Sequence, residues 1–580
     1  MIAQIVFDLP LDGPFDYLIP EHLISAVAVG SRVKVSFGPK TKIGFVTGLI
    51  EASAILRLKP VLSLCDDAPV FDSQDLIFAR DFCANYGCSL GEALATTLRN
   101  RTTPRITTRR DHDPEYSLYI CPPSSYAVKI QEIMDGYRRH SKNNFLILVP
   151  DAFRGEMITS QLKGPETVKV GTRSSVFECD GRHDCVIMVD EEDPSYKQES
   201  MPMYDTAQVL LARSRIYGFD IAFVGISPSV ELMSQALEGK IKLYDKPAAR
   251  LAAVRLVDLS NYKYVPGLIS PPVRDALQSA LNAGQKSILI LNRKGSYRLT
   301  RCVDCGEILK CAHCDSPLIY SRSAGKYLCR HCTYTASGDT VCPKCKKPSW
   351  RSVGIGVEQV QTELKKLFPQ ASINSFSSVF SRNKAAKPTL PDFDILISTQ
   401  AVLRFQGALN VQLAAFIDFD AELNLLDMRC AFNAFSLALH IGSMALDEVF
   451  IQTRNSSHYV LQSLSRGKTG DFYDEELRLR KEYGFSPFKH WVKISWRGKS
   501  EKSTHHAAEE VYNVLSKSPA REECAITPPL ADAVGRKRDQ FRFNVMLQAD
   551  QASQAVALIK TVLGQIKRPS RVIVTMNVDP

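Results

Sequence analysis

The sequence predicts a multidomain α/β protein: a β-rich N-terminal domain, two successive α/β lobes with a cysteine-rich insertion in the second, and a small α+β C-terminal domain. Three observations predict it. The chain has 580 residues, too many for one hydrophobic core. Through its middle, short apolar runs alternate with helical stretches, the pattern of a mostly parallel sheet covered on both faces. And eight of its 16 cysteines fall between Cys302 and Cys345.

In the N-terminal domain (1–105), Ile2 to Leu9, Phe15 to Ile19, Arg32 to Phe37 and Lys42 to Ile50 read as strands, punctuated by Pro and Gly. Residues 73–99 read as a helix with Leu76, Ala79, Phe82 and Ala84 on one face. The polar, basic segment from Asn100 to Glu115 reads as a linker. The first lobe (118–250) has apolar runs beginning at Phe145, Cys185 and Ile221. The second (251–300 and 349–465) has them at Ser287, Asp394, Ala414 and Glu448, with a helix from about Val357 to Phe368. The cysteine block (301–348) interrupts it. The last segment (466–580) reads strand, helix, strand, strand, helix, strand. Its candidate strands are Trp491–Trp496, Phe541–Gln548 and Arg571–Val578, with helices near 503–516 and 551–566, a ferredoxin-like order.

Hydrophobic content of 45% and charged content of 23% are ordinary for a soluble globular chain. No apolar run approaches the ~20 residues of a membrane span. The start, Met-Ile-Ala-Gln-Ile-Val, lacks the basic and apolar regions of a signal peptide. The expectation is a cytoplasmic protein with no membrane partner. A net charge of +10 suits a polyanionic partner without establishing one.

In a cytosolic setting, clustered cysteines argue for metal rather than disulfides. The block holds four Cys-x-x-Cys knuckles, and two knuckles complete one zinc site of four thiolates. The spacers between knuckles are 5, 14 and 9 residues. Fourteen is close to the usual zinc-ribbon gap. Cys311, Cys314, Cys329 and Cys332 then share one ion, and Cys302, Cys305, Cys342 and Cys345 share the other. Eight thiolates fill two tetrahedra and leave no open position for water activation, so two structural Zn²⁺ are expected. His313 and His331 lie inside knuckles and are assigned to solvent. An iron–sulfur cluster is the alternative, but the spacing matches neither ferredoxin pattern.

Two tandem α/β units suggest a motor ATPase, which needs a Gly-rich loop with Lys and Ser or Thr to hold phosphates and magnesium. After the first strand of the lobe the chain instead reads Ile120-Cys-Pro-Pro-Ser-Ser-Tyr-Ala-Val-Lys129. It has no Gly, and Pro122 and Pro123 remove two backbone donors. An acidic box remains at Asp190-Glu-Glu-Asp193. The second lobe should supply arginines to the transferring phosphate, and the stretch near His440-Ile-Gly-Ser-Met444 has none.

Several stretches form a recognisable series: Asp8-Leu-Pro-Leu-Asp-Gly-Pro-Phe-Asp-Tyr-Leu-Ile-Pro20, Arg32-Val-Lys-Val-Ser-Phe-Gly38 and Gly171-Thr-Arg-Ser-Ser-Val-Phe177. They continue with Leu291-Asn-Arg-Lys-Gly295, the nested knuckles, Gly354-Ile-Gly-Val-Glu-Gln359 and Gly484-Phe-Ser-Pro-Phe488. Through them, along almost its whole length, the chain resembles the bacterial primosomal replication-restart (PriA) family. The departures fall in the helicase motifs. The phosphate loop is replaced at 121–128, the D-E-E-H box has become Asp190-Glu-Glu-Asp193, and the arginine motif is lost around Leu437–Met444. The resemblance is to a branch of the family in which these motifs are eroded.

The resemblance implies two helicase-like RecA-type lobes with a double zinc-ribbon insertion. It also implies a protein that binds stalled forks and single-stranded DNA and helps assemble the primosome. Implied partners are primosome proteins, including the replicative-helicase loading machinery, and the single-stranded DNA-binding protein. ATP and Mg²⁺ are not expected, and Asp190 and Glu191 are a vestige of their site. The alternative is an active ATP-dependent 3′–5′ DNA helicase of the same family. A zinc-ribbon RNA-binding or polymerase-associated factor is a third reading, which the 8–20 signature opposes. By resemblance, Phe15, Asp16 and Gly38 capture a DNA 3′ end: a carboxylate can accept a hydrogen bond from a terminal 3′-hydroxyl, which an internal phosphodiester lacks. The plain alternative makes Phe15 core and Asp16 a turn residue. Further DNA contacts are expected at Arg536, Lys537, Arg538, Phe541 and Arg542, where basic and aromatic residues interleave, although Arg536-Lys-Arg also reads as a solvated loop.

Overall fold

The computed structural model describes the chain except for residues 99–112, 165–167, 245–251, 263–266, 292–298, 306, 313–317, 322–324, 330–333, 354–355, 377–388, 425–426, 519–523, 538 and 567–570. Cys314, Cys332, Arg538, both knuckle histidines and most of the expected linker lie outside the described residues.

The N-terminal strands form a five-stranded antiparallel sheet in the order Phe15–Leu18, Ile2–Val6, Lys40–Ile50, Arg32–Phe37, Val61–Leu64. The last strand is not among those expected, because Ser63 interrupts its apolar run. The single helix expected over 73–99 is two, Ser73–Tyr86 and Leu90–Thr97. Gly87 ends the first in left-handed backbone at φ 68°, and Ser89 starts the second with a capping box to Glu92. The buried stripe of the first helix is Asp75, Phe78, Ala79 and Phe82, while Ala84 faces solvent. Phe78, not Ala84, continues the i, i+4 row that ends at Phe82. Gly91 lets the second helix lie against the first strand: a Cβ there would stand 1.7 Å from the Phe7 carbonyl oxygen.

Residues 116–244 carry a six-stranded parallel sheet in the order Lys242–Tyr244, Tyr116–Ile120, Asp220–Gly225, Cys185–Val189, Phe145–Leu148, Val168–Gly171. The three central runs are buried on both faces, which is why they read as unbroken apolar stretches. A second parallel sheet runs Ala253–Asp258, Ala445–Thr453, Val411–Phe416, Ser287–Ile290, Ile395–Ser398, Ile373–Phe376. In open sheets of this kind the cleft lies beyond the carboxyl ends of the strands. The cysteine block leaves and rejoins this sheet through a neck, Leu299–Cys302 paired antiparallel with Trp350–Val353. Beyond the neck, Ile319–Ser321, Lys326–Leu328 and Thr335–Ser337 make a small three-stranded sheet.

The C-terminal segment forms an antiparallel sheet in the order Ala525–Ile526, Gln540–Ala549, His490–Gly498, Ile573–Val578, with Leu530–Lys537 also on Gln540–Ala549. Helices Glu501–Lys517 and Ala552–Gln565 pack on one face around Trp496, Ile494 and Val492. The order is β-α-β-β-β-α-β, the expected β-α-β-β-α-β with the two-residue strand Ala525–Ile526 added, too short to show in the sequence. Among the described residues no helix is long and apolar enough to cross a membrane.

Candidate functional site

Phe15 lies beside Phe37, the residue before Gly38, while the Asp16 side chain is bonded to Ser53. The Phe15 ring lies 5.6 Å from that of Phe37 and 5.7 Å from that of Phe7, so it is part of an aromatic cluster and half-buried. Gly38 follows Phe37 in the turn to Lys40, at φ 60°, with nothing within 4 Å of where a Cβ would be. Asp16 accepts a 2.5 Å hydrogen bond from Ser53 Oγ on its Oδ2.

The acidic box follows the strand Cys185–Val189 at its carboxyl end, with Asp190 in left-handed backbone at φ 47°. The carboxylates of Asp190, Glu191 and Glu192 are buried, and those of Asp190 and Glu192 are held by side chains from both lobes. Asp190 accepts from the Tyr126 hydroxyl on Oδ1. Its Oδ2 accepts from Arg154 Nη1 at 3.0 Å and from Gln406 Nε2 at 2.8 Å. Arg154 also reaches Asp193 at 3.2 Å. Glu191 accepts from the Ser229 backbone amide at 2.6 Å. Glu192 Oε1 accepts from Ser227 Oγ at 2.8 Å and lies 3.0 Å from His440 Nε2 of the second lobe. Where the lobes approach, Gly407 leaves room for the Pro123 carbonyl, which a Cβ would meet at 3.1 Å.

Tyr126 opens the helix Tyr126–Arg138, directly after the proline turn that stands where a phosphate loop would be. Burial, then the neighbouring Glu192 charge, holds the Asp190 carboxyl up to about 6. The same two causes push Glu191 well above the usual carboxylate range. For His440, burial opposes the charged form, but the hydrogen bond to Glu192 and the nearby acids outweigh it and raise the pKa.

Cys302, Cys305, Cys342 and Cys345 are brought together, with all four sulfurs within 4.8 Å of one another. Cys302 to Cys345 and Cys305 to Cys342 are each 3.5 Å. Thiolates at ~2.3 Å from a tetrahedral Zn²⁺ stand about 3.8 Å apart, so the cluster fits that ion. Backbone amides of Lys344 and Cys345 point at the Cys342 sulfur, as in a metal knuckle. Of the other expected ligand set, Cys311 and Cys329 are buried in one small core with Leu309, Leu318 and Tyr327.

Of the expected C-terminal DNA residues, four lie on two paired strands: Arg536 is opposite Phe541 and Lys537 opposite Gln540, with Arg542 next along the strand.

The family model of the PriA 3′DNA-binding domain matches residues 4–99, and that of the primosomal protein N C-terminal domain matches 481–580. The replication restart protein PriA of Treponema pallidum is 25% identical, over 100% of this chain and 99% of that protein. The chain is similar to the PriA family along its whole length. The PriA of Bacillus subtilis is 26% identical over 71% of this chain and 53% of its own length, and that of Borreliella burgdorferi 24% over 80% and 72%. Phe15, Asp16 and Gly38 fall inside the PriA 3′DNA-binding match, and Phe541 and Arg542 inside the C-terminal one. Sequence reasoning missed Tyr126, Arg154 and Gln406 as partners of the acidic box. The one available signal was a bulky aromatic in place of the phosphate-loop residues.

Proposed function

We propose that this PriA-like protein binds stalled replication forks and single-stranded DNA and helps assemble the primosome without hydrolysing ATP. The single observation that carries the reading is the cradle around Asp190, where Tyr126, Arg154 and Gln406 take up both carboxylate oxygens. These contacts oppose a phosphate tail with magnesium, because Asp190 is already paired with a guanidinium and Pro122 and Pro123 supply no amide donors, even though Asp190, Glu192 and His440 lie close enough together to hold a metal ion. The lobes then act as a scaffold. Working as a 3′–5′ helicase would require these contacts to be exchanged for nucleotide in every cycle, leaving Arg154 and His440 to be re-paired each time.

In this reading the N-terminal domain selects DNA ends. Ser53 holds one oxygen of Asp16, and the other is left to accept from a terminal 3′-hydroxyl, with Phe15 and Gly38 framing the approach. Two Zn²⁺ hold the insertion, one on Cys302, Cys305, Cys342 and Cys345, the other on Cys311, Cys314, Cys329 and Cys332. The protein works in the cytoplasm, and its protein partners are the single-stranded DNA-binding protein and primosome components that load the replicative helicase.

The test is ATP turnover by zinc-replete protein, with and without a fork bearing a free 3′ end, beside binding to the same fork. Tight binding with background turnover is expected. DNA-stimulated turnover that Asp190→Asn abolishes would restore the helicase reading.

A further inference from the structure

His440 stands in the stretch where a motor lobe would carry arginines for a transferring phosphate. It sits on the helix Cys430–Gly442 of the second lobe and reaches across to the acidic box of the first. One ligand atom each from Asp190, Glu192 and His440 lies within 4.8 Å of the others. Glu192 Oε1 and His440 Nε2 are 3.0 Å apart. Two ligands about 2.1 Å from one divalent ion stand about 3.0 Å apart at a right angle and about 4.2 Å apart in line, so the three atoms are close to the spacing of a single coordination sphere.

The charges at this place favour a cation. Four carboxyls follow one another from Asp190 to Asp193, and among the described residues their ion pairs are with Arg154 and His440. Water reaches the set poorly: the Asp190 side chain is 1% exposed, that of Glu192 5% and that of His440 7%. Buried negative charge in excess of its partners is costly. The hydrogen bonding is incomplete at the same place. Glu192 Oε2 is buried with no donor, and Gln406, whose amide nitrogen is on Asp190 at 2.8 Å, buries its Oε1 with no donor either. Finished interiors leave few such atoms, and an ion with its water ligands accounts for both: Glu192 Oε2 as a carboxylate oxygen for the ion, Gln406 Oε1 as an acceptor for metal-bound water.

We propose that Asp190, Glu192 and His440 bind one divalent transition-metal ion that fastens the second lobe to the first without nucleotide. One imidazole and two carboxylates suit the series from Mn²⁺ to Zn²⁺, whereas Mg²⁺ takes oxygen ligands and keeps its waters. Arg154 and Gln406 remain on Asp190 Oδ2, while Oδ1 accepts only from Tyr126 and keeps a second lone pair for the ion. No phosphate takes part, and the imidazole comes from the lobe opposite the acidic box. The inference goes beyond the fork-binding reading and does not rest on it.

Full-length, zinc-replete, nucleotide-free protein is titrated with Mn²⁺, which does not displace zinc from thiolates, and free Mn²⁺ is followed by its paramagnetic resonance signal. The wild type is expected to take up one Mn²⁺ per chain, with the spin-echo modulation of a coordinated imidazole nitrogen, and to retain it in excess Mg²⁺. His440→Gln and Glu192→Gln should each weaken uptake by about 100-fold, the upper end of what changes just outside a metal's ligands do. The nitrogen signal is read on the wild type, so it decides the matter even where a variant fails to fold. No uptake at millimolar Mn²⁺ would overturn the inference, and so would uptake that lacks the nitrogen modulation and yields to Mg²⁺; both leave the non-hydrolysing reading standing. Uptake that requires ATP would mark a nucleotide site and would sink both.

Discussion

Replacing Arg154 by alanine removes one half of a buried ion pair and leaves the other half in place. Asp190 is 1% exposed and the Arg154 side chain 10%, so water does little to screen the pair. Removing one member of such a pair costs about 3–5 kcal/mol, because the remaining charge is stranded. The carboxyl has one escape, which is to take up a proton. Burial and Glu192 already hold Asp190 up to about 6, against 3.8 for an ordinary aspartate, and losing the guanidinium raises it further. A carboxyl whose folded pKa exceeds its unfolded one gives its full stabilisation below the unfolded value and loses it as pH rises through the folded value. The variant should therefore be only mildly destabilised at pH 6 and carry the full ~3–5 kcal/mol near pH 8.5. At about 2–4 °C per kcal/mol that is a melting shift of roughly 6–20 °C, readable by circular dichroism. With Asp190→Asn in the same chain, most of the loss should vanish. A loss that is the same at both pH values, or that persists in the double variant, would refute the assignment of Asp190 as a structural staple.

Asp16→Asn should erase any preference for a 3′-hydroxyl over a 3′-phosphate end in oligonucleotide binding, while leaving the Tm of the protein within about 1 °C, since the residue is only half-buried. Cys342→Ser should lower bound zinc by one ion per chain, measured by atomic absorption, because a three-thiolate site no longer closes the tetrahedron. Gly91→Ala should destabilise the N-terminal domain by about 1–3 kcal/mol in urea unfolding, since the added methyl overlaps the Phe7 carbonyl and the helix must move off the sheet.

Much of the fold was legible because its signals are local. Cys185–Val189 and Asp220–Gly225 are buried on both faces and so appear as plain apolar runs. The Cys302–Cys345 set was legible from knuckle spacing alone, since a tetrahedral ion admits few arrangements. The strand Val61–Leu64 was not, because an edge strand with one mixed face has neither a run nor a clean alternation. The break at Gly87 was hidden by the apolar periodicity on either side of it. Least legible was the filling of the interlobe cleft. Asp190 gathers Tyr126, Arg154 and Gln406 from distant parts of the chain, and such convergence leaves no period or motif. The empty phosphate-loop position could be read from the sequence; what occupies its place could not.

One of the two edge strands of the second parallel sheet is Ala253–Asp258, whose neighbour in the sheet is Ala445–Thr453. On a ribosome adding roughly 5–20 residues each second, the partner emerges about 190 residues and some 10–40 s later. For that interval the strand's edge is unclaimed, while the whole cysteine insertion is synthesised between the two. The insertion has its own neck, so if it takes up metal as it emerges, it does so inside that interval, after the edge is exposed and before it is covered. The solubility of the half-made lobe is then the earlier hazard, and metal supply a separate one that falls within it.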